Sequence, residues 1–292
     1  MLSAATGAFE MPNQSTPRIP TLRAPAGACD THMHIYSKAY PASSKAWLFP
    51  PDFSVEDYRK VQARLGLQRT IIVQPVTYGF DNRCTLDSVA AFGSGARAVV
   101  TVPTGVTDSE LDRLWQAGAR GLRYHQMRGS VTEWSDVPVM AERIRGTGWH
   151  LQIQFDGLEF PDHETLIARL PCTVVIDHMG RYARPLAVEH PAVQSLLRVA
   201  ARDNVYVKLS GAYHIAHGSG PGYREVAPIA QALVRQGTDR LLWGSDWPHP
   251  TETAETMPDD ADLLDLLLAW APDAAARQAI LSDNPARLYG FV

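Results

Sequence analysis

Eight apolar runs, each of five to seven residues, recur along this 292-residue chain with amphipathic segments between them. They lie at 28–34, 70–74, 97–102, 119–124, 149–155, 172–177, 204–209 and 240–245, and many are β-branched. Nearly continuous apolar runs suit strands of a parallel sheet covered on both faces. Between them, 54–66, 83–92, 107–117, 136–146, 162–169, 191–202 and 223–236 carry helical spacing, and 259–282 is helical around "DADLLDLLLAWAP". Ser54 with Asp57, and Thr107 with Glu110, have the pattern of helix-starting capping boxes. Eight β–α alternations over about 250 residues predict one α/β domain, a (β/α)8 TIM barrel. An open doubly wound sheet is the rival layout, but no G-x-G-x-x-G turn follows an early strand.

The barrel is placed at 27–292, after a Pro/Ser/Thr-rich segment, 1–26, predicted to be a poorly ordered arm without the apolar stretch of a signal peptide. A net charge of −4 with no basic stripe argues against a nucleic-acid partner. No apolar run reaches membrane-spanning length, so no membrane partner is expected. Cys29, Cys84 and Cys172 form neither a C-x-x-C pair nor an even set, which points to a reducing, cytoplasmic setting. Oligomeric state is not legible in these features.

In a barrel, chemistry gathers at the C-terminal ends of the strands. In "CDTHMHIYS", His32 and His34 stand two apart, a spacing that puts both imidazoles on one strand face. The second strand runs into Gln74, Thr77 and Asn82, and the fourth into Arg123, His125 and Arg128. Gln152 and Gln154 lie on the fifth, and Asp177, His178 and Arg181 follow the sixth. The seventh leads into Lys208 and Tyr213, and the eighth into "GSDWPHP" with Asp246 and His249. His125 and His214 read as hydrogen-bonded structural histidines, and Asp177 as buried support for a neighbour. Asp246 reads as chemical, because Pro248 and Pro250 stiffen the loop that carries it. Arg123 interrupts an apolar strand, where an unpaired guanidinium is expensive, so it is expected to face a polar mouth.

The motifs "DTHMHIY", "QPVTYGFDNRCTLD", "GLRYH", "VVIDHMGR", "WGSDWPHP" and "NPARLYG" together resemble the amidohydrolase superfamily. The likeness runs from about Gly27 to Gly290, within the branch of pyrone-dicarboxylate lactonases and aldarate-lactone isomerases. The resemblance implies that metal-dependent members add a Lys or Glu on strand 4, or a His on strand 5, to the strand-1 pair. Here those places hold Arg123 with Tyr124, and Gln154. His32, His34, His178 and Asp246 could still hold zinc tetrahedrally, although an arginine would oppose a dication. The expectation is an enzyme without metal or other cofactor.

What the resemblance implies for activity is lactone chemistry on a small aldarate lactone. Asp246 is expected to act as general base, with His32, His34 and His178 polarising the carbonyl and holding the oxyanion. Arg123, with Arg128 or Arg181, would fork the distal carboxylate, and Gln74, Thr77, Asn82 and Gln154 would read hydroxyls. If water attacks, the enzyme is a lactonase; if a substrate hydroxyl attacks, the ring changes size. Gln154 replaces a tyrosine that the resemblance implies for pyrone lactonases, and "KLSGAYHIAHGSG" lacks their arginine in an obvious register. Both departures favour a polyhydroxy acid. The expected reaction is therefore isomerisation of galactaro-1,5-lactone to the 1,4-lactone in aldarate and uronate catabolism, with dicarboxylate-lactone hydrolysis as the alternative. A barrel that binds sugar acids without turning them over is a third reading.

Overall fold

The computed structural model of the chain describes residues 18–216 and 222–291. Its eight strands are β1 (Cys29–Met33), β2 (Arg69–Val73), β3 (Ala96–Val100), β4 (Ala119–His125), β5 (His150–Gln154), β6 (Thr173–Ile176), β7 (Val205–Leu209) and β8 (Leu241–Trp243). They form one sheet in sequence order, and each pairs in parallel with the next. Just beyond β8 the sheet curls back on β1, where Asp246 N donates to the His32 carbonyl at 2.7 Å and His34 N to the Trp247 carbonyl at 2.8 Å. Asp30 fastens this seam. Its carboxylate accepts from the Ser245 amide and hydroxyl at 3.0 and 2.5 Å, and from Tyr58 at 2.8 Å. All eight expected strands are present, and the architecture is the (β/α)8 barrel.

Alternation along the strands separates two apolar layers. Ile72, Val100, Leu122, Leu151, Ile153, Val174 and Val207 pack with the surrounding helices in the main core. Cys29, Ile71, Val73, Val99, Val175, Tyr206 and Leu242 form a smaller cluster on the opposite faces, inside the barrel. Arg123, Gln152, Gln154, Asp177 and Lys208 share that inward parity toward the C-terminal ends of their strands. The lower barrel interior is thus largely apolar and its upper end polar.

The main helices are α1 (Val55–Leu65), α2 (Arg83–Phe92), α3 (Asp108–Gln116), α4 (Asp136–Arg143), α5 (Phe160–Ala168), α6 (Pro191–Ala200), α7 (Ala212–Ile215), α8 (Ala227–Gln236) and α9 (Asp260–Trp270). The capping box before α1 is complete, because Ser54 and Asp57 bond each other's backbone. Before α3 only half of one exists: Thr107 accepts from Glu110 N, while the Glu110 carboxylate pairs with Arg113. The tail expected as one helix breaks after Trp270 at Ala271–Pro272. It resumes as α10 (Ala274–Gln278), a π-type turn (Ala279–Asp283) and α11 (Asn284–Tyr289). Pro272 supplies no amide hydrogen to continue α9.

The expected N-terminal arm lies outside the described residues up to position 17. Its remainder is tied down: Thr21 N and Leu22 N donate to the Asp265 carboxylate at 3.0 and 2.7 Å, and Leu22 is buried. Among the described residues, no helix is long and apolar enough to cross a membrane.

Candidate active site

The C-terminal ends of the strands open into a cavity of about 280 Å3, at the small end of ligand pockets. Its wall includes His34, Arg123, His125, Arg128, Gln154, His178, Arg181, His214 and Asp246. Larger hollows exist elsewhere, of about 390 and 530 Å3, so charge and position rather than size single out this one.

Asp246 is the hub. Its Oδ2 accepts from Tyr213 Oη at 2.5 Å and from His214 Nε2 at 2.9 Å, which leaves Oδ1 toward three imidazoles. The Nε2 atoms of His34, His32 and His178 lie 3.4, 3.5 and 3.9 Å from Oδ1. Each ring is steered from its far side. His34 Nδ1 donates to the Val73 carbonyl at 2.7 Å, His178 Nδ1 meets Ser210 Oγ at 2.9 Å, and His32 Nδ1 meets Asp177 Oδ1 at 3.2 Å. Burial works to raise Asp246, but His178 and the bonded His214 and His34 hold it well below the usual carboxylate range. Burial pushes His178 well below its ordinary value, and burial together with the Lys208 ammonium lowers His32 to about 4. The resting site is an ionised carboxylate beside His32 and His178 rings that favour neutrality.

Backbone strain helps to place these groups. Asp246, His178 and Arg181 adopt φ of 65°, 54° and 50°, left-handed values that cost non-glycine residues of order 1–3 kcal/mol. The bond from Asp246 N to His32 O and that from Arg181 N to His178 O at 2.9 Å hold the turns in place. Gly211 combines a φ of 65° with close contact, since a Cβ there would lie 2.8 Å from His178 Nδ1. Only glycine brings the start of α7 so near that ring.

Most of the expected site residues meet here, but not all. Arg123 is buried, donating from Nη1 to the Gln74 carbonyl at 2.6 Å and from Nη2 to Gln154 Oε1 at 2.9 Å. Its Nε has no partner. Gln154 Nε2 has only the Met127 sulfur, at 3.8 Å, so its amide can still donate into the cavity. Arg128 lies over the Trp47 ring at 4.8 Å, and Arg181 stands on the same wall.

Four expectations need correction. Gln74 Nε2 donates to the Gly79 and Asp81 carbonyls while Oε1 accepts from Thr85. Thr77 bonds the Leu48 carbonyl, and Asn82 bonds both backbone groups of Thr101. These three side chains shape the β2–α2 loop and are not on the cavity wall. His32 is fully buried behind the wall, so it reaches Asp246 and not a carbonyl in the cavity. Conversely, His214, read from sequence as structural, and Tyr213 clamp Asp246.

The donor set also fits a divalent ion. The Nε2 atoms of His34, His32 and His178 lie 3.4, 3.5 and 3.9 Å from Asp246 Oδ1, and among the described residues His32, His34 and Asp246 each offer a donor atom within 4.8 Å of the other two. Rings pinned through Nδ1 suit that use as well. Charge weighs the other way. Arg123 and Lys208 are buried cations in the same barrel interior as the cluster, and they oppose a dication there.

Residues 29–291 match the family described as Amidohydrolase. The chain belongs to that family. This amidohydrolase is 35% identical to D-galactarolactone isomerase of Agrobacterium fabrum strain C58, over 91% of each chain. It is 37% identical to 4-sulfomuconolactone hydrolase of Rhizobium radiobacter, over 92% of this chain and 91% of that protein. Its fold superposes on the apo crystal structure of an Agrobacterium tumefaciens protein with a TM-score of 0.86. That match has 33% identity and covers 94% of this chain and 99% of the other.

Proposed function

We propose that this amidohydrolase is a lactone isomerase that converts D-galactaro-1,5-lactone to the 1,4-lactone by intramolecular acyl transfer in aldarate and uronate catabolism. One observation carries the reading: a buried, incompletely bonded arginine and a spare glutamine amide share a small cavity with a carboxylate–imidazole cluster. Such a cavity suits a compact, hydroxylated, anionic ester. The likeness to the galactarolactone isomerase supports that choice of substrate.

In this reading Arg123, Arg128 and Arg181 hold the far carboxylate, and the Gln154 amide reads a hydroxyl. The substrate's 4-hydroxyl attacks the lactone carbonyl. Asp246 Oδ1 accepts its proton within the imidazole cluster, where the groups titrate together rather than singly. His178, a cavity-facing ring whose Nδ1 can accept from the Ser210 hydroxyl, donates from Nε2 to the tetrahedral oxyanion. The ring C–O bond then breaks, and the held proton passes to the departing 5-oxygen. Proximity comes from the substrate itself, so the protein contributes orientation, proton handling and charge stabilisation.

A divalent ion held by His32, His34, His178 and Asp246 would, when bound, supply Lewis-acid polarisation of the carbonyl. The buried Arg123 and Lys208 cations favour a reaction run by the side chains alone. Hydrolysis is the second reading, favoured by the likeness to the sulfomuconolactone hydrolase. NMR of freshly prepared 1,5-lactone with the enzyme separates the two. Accumulating 1,4-lactone supports isomerisation, whereas open-chain diacid as the first product overturns it.

A further inference from the structure

Beneath the cavity, Lys208 sits on β7 with no exposed surface and does not line the cavity wall. Two of its hydrogens are committed, to the Thr31 carbonyl at 2.8 Å and to Gln152 Oε1 at 2.7 Å. The third has two acceptors within reach, His32 Nδ1 at 3.2 Å and Asp177 Oδ1 at 3.3 Å. Asp177 Oδ2 is already bonded by Gln152 Nε2 at 3.0 Å.

Counting donors selects one arrangement. If Lys208 gives its third hydrogen to His32 Nδ1, Asp177 Oδ1 accepts nothing. A sealed carboxylate oxygen without a donor is costly. If Lys208 gives it to Asp177, His32 Nδ1 must carry its own hydrogen and also donate to Oδ1, 3.2 Å away. Every polar atom of the layer is then satisfied except His32 Nε2, which is a buried atom without a partner in the structure, 3.5 Å from Asp246 Oδ1. A lone pair facing a carboxylate lacks only a proton between them.

We propose that Lys208 and Asp177 are positioning residues that hold His32 as its Nδ1–H tautomer. With Nε2 bare, His32 gives no hydrogen to Asp246 Oδ1, 3.5 Å away, and leaves that oxygen free to accept the substrate's proton. The step balances. The hydroxyl O–H bond breaks as oxygen joins the lactone carbonyl, the proton rests on Asp246 Oδ1, and it leaves on the ring oxygen when the C–O bond breaks. The kinetic part rests on the acyl-transfer reading; the tautomer does not.

The test is 15N NMR of histidine-labelled, chelator-treated full-length protein near pH 7.5, with His32→Gln assigning the signals. The wild type should show His32 protonated on Nδ1 and bare on Nε2. Asp177→Asn should reverse this. Gln152 Nε2 demands the amide oxygen on its own side, so the new NH2 faces His32 Nδ1 and forces it to accept. In that variant kcat should fall at least tenfold while KM stays within about twofold, because neither positioning residue reaches the cavity. Should Asp177→Asn fail to fold, the wild-type spectrum alone tests the tautomer. A wild-type His32 protonated on Nε2 overturns the proposal, as does a folded variant with unchanged tautomer and kcat. The expected tautomers in a protein that turns over no lactone would support the positioning and overturn the acyl-transfer reading.

Discussion

Replacing Asp246 by asparagine exchanges one oxygen for an amide nitrogen inside a cluster whose hydrogen-bond demands are fixed. Tyr213 and His214 both donate to Oδ2, so the asparagine must keep its carbonyl oxygen there. Its NH2 then takes the place of Oδ1, facing imidazole nitrogens that lay 3.4 to 3.9 Å from that oxygen. His34 Nε2 can accept, because its Nδ1 already donates to Val73. The fold therefore survives, and the melting temperature should stay within a few degrees of wild type. The proton acceptor does not survive, since an amide takes no proton at neutral pH. Losing a general base costs about two to four orders of magnitude in rate, or about 3–5.5 kcal/mol in the barrier. The assay follows 1,5-lactone by NMR in deuterated buffer, where acyl migration exchanges no carbon-bound hydrogen. A rate near wild type would refute the base assignment and move it to His178. Deuterium on carbon would refute acyl migration itself and indicate an enediol.

Three further outcomes are expected. Arg123→Met should weaken binding of a lactone-carboxylate ligand by about 2–5 kcal/mol in calorimetry. It should also lower stability by about 1–3 kcal/mol, because the Gln74 carbonyl and Gln154 Oε1 lose their donor; normal affinity would place the anchor elsewhere. Exhaustive chelation should leave turnover intact, whereas loss with recovery on added zinc would make His32, His34, His178 and Asp246 metal ligands. Burial lowers His249, but Asp260 at 3.0 Å outweighs it and raises the ring above its ordinary value. The pair's stabilisation is then full below the unfolded pKa, about 6.5, and is lost as pH rises through the folded value. Denaturant titrations should find the deficit of His249→Gln largest near pH 6 and shrinking above neutrality, and a deficit growing with pH would contradict the pairing.

The strand pattern was legible because burial on both faces leaves a continuous apolar signature that helices between strands cannot imitate. The same rule led to His34, Arg123, Gln154, His178 and Asp246, which directly follow or end such runs. It failed where loops decide. Gln74, Thr77 and Asn82 are polar residues after a strand, yet a loop that folds on itself uses their side chains as anchors. Nothing in their spacing distinguishes an anchor from a ligand reader. Tyr213 and His214 ride on α7, a single turn after Gly211, too short to display a period. Lys208 had a usable signal: it shares parity with Tyr206, which puts a cation inside the barrel and calls for buried acceptors.

The seam between β1 and β8 joins the first strand made to the last. His32 and His34 come from one side of it and Asp246 from the other, and Asp30 with Ser245 locks the two together. The reacting cluster therefore cannot exist on a growing chain until residue 246 has emerged and the circle has closed. Seven strands can be in place, and the chain compact, before that cluster exists. On heating, opening at this three-residue β8 should silence the enzyme before the helices melt. If that cluster carries the proposed reaction, turnover reports closure of the barrel, a checkpoint written into the order of its strands.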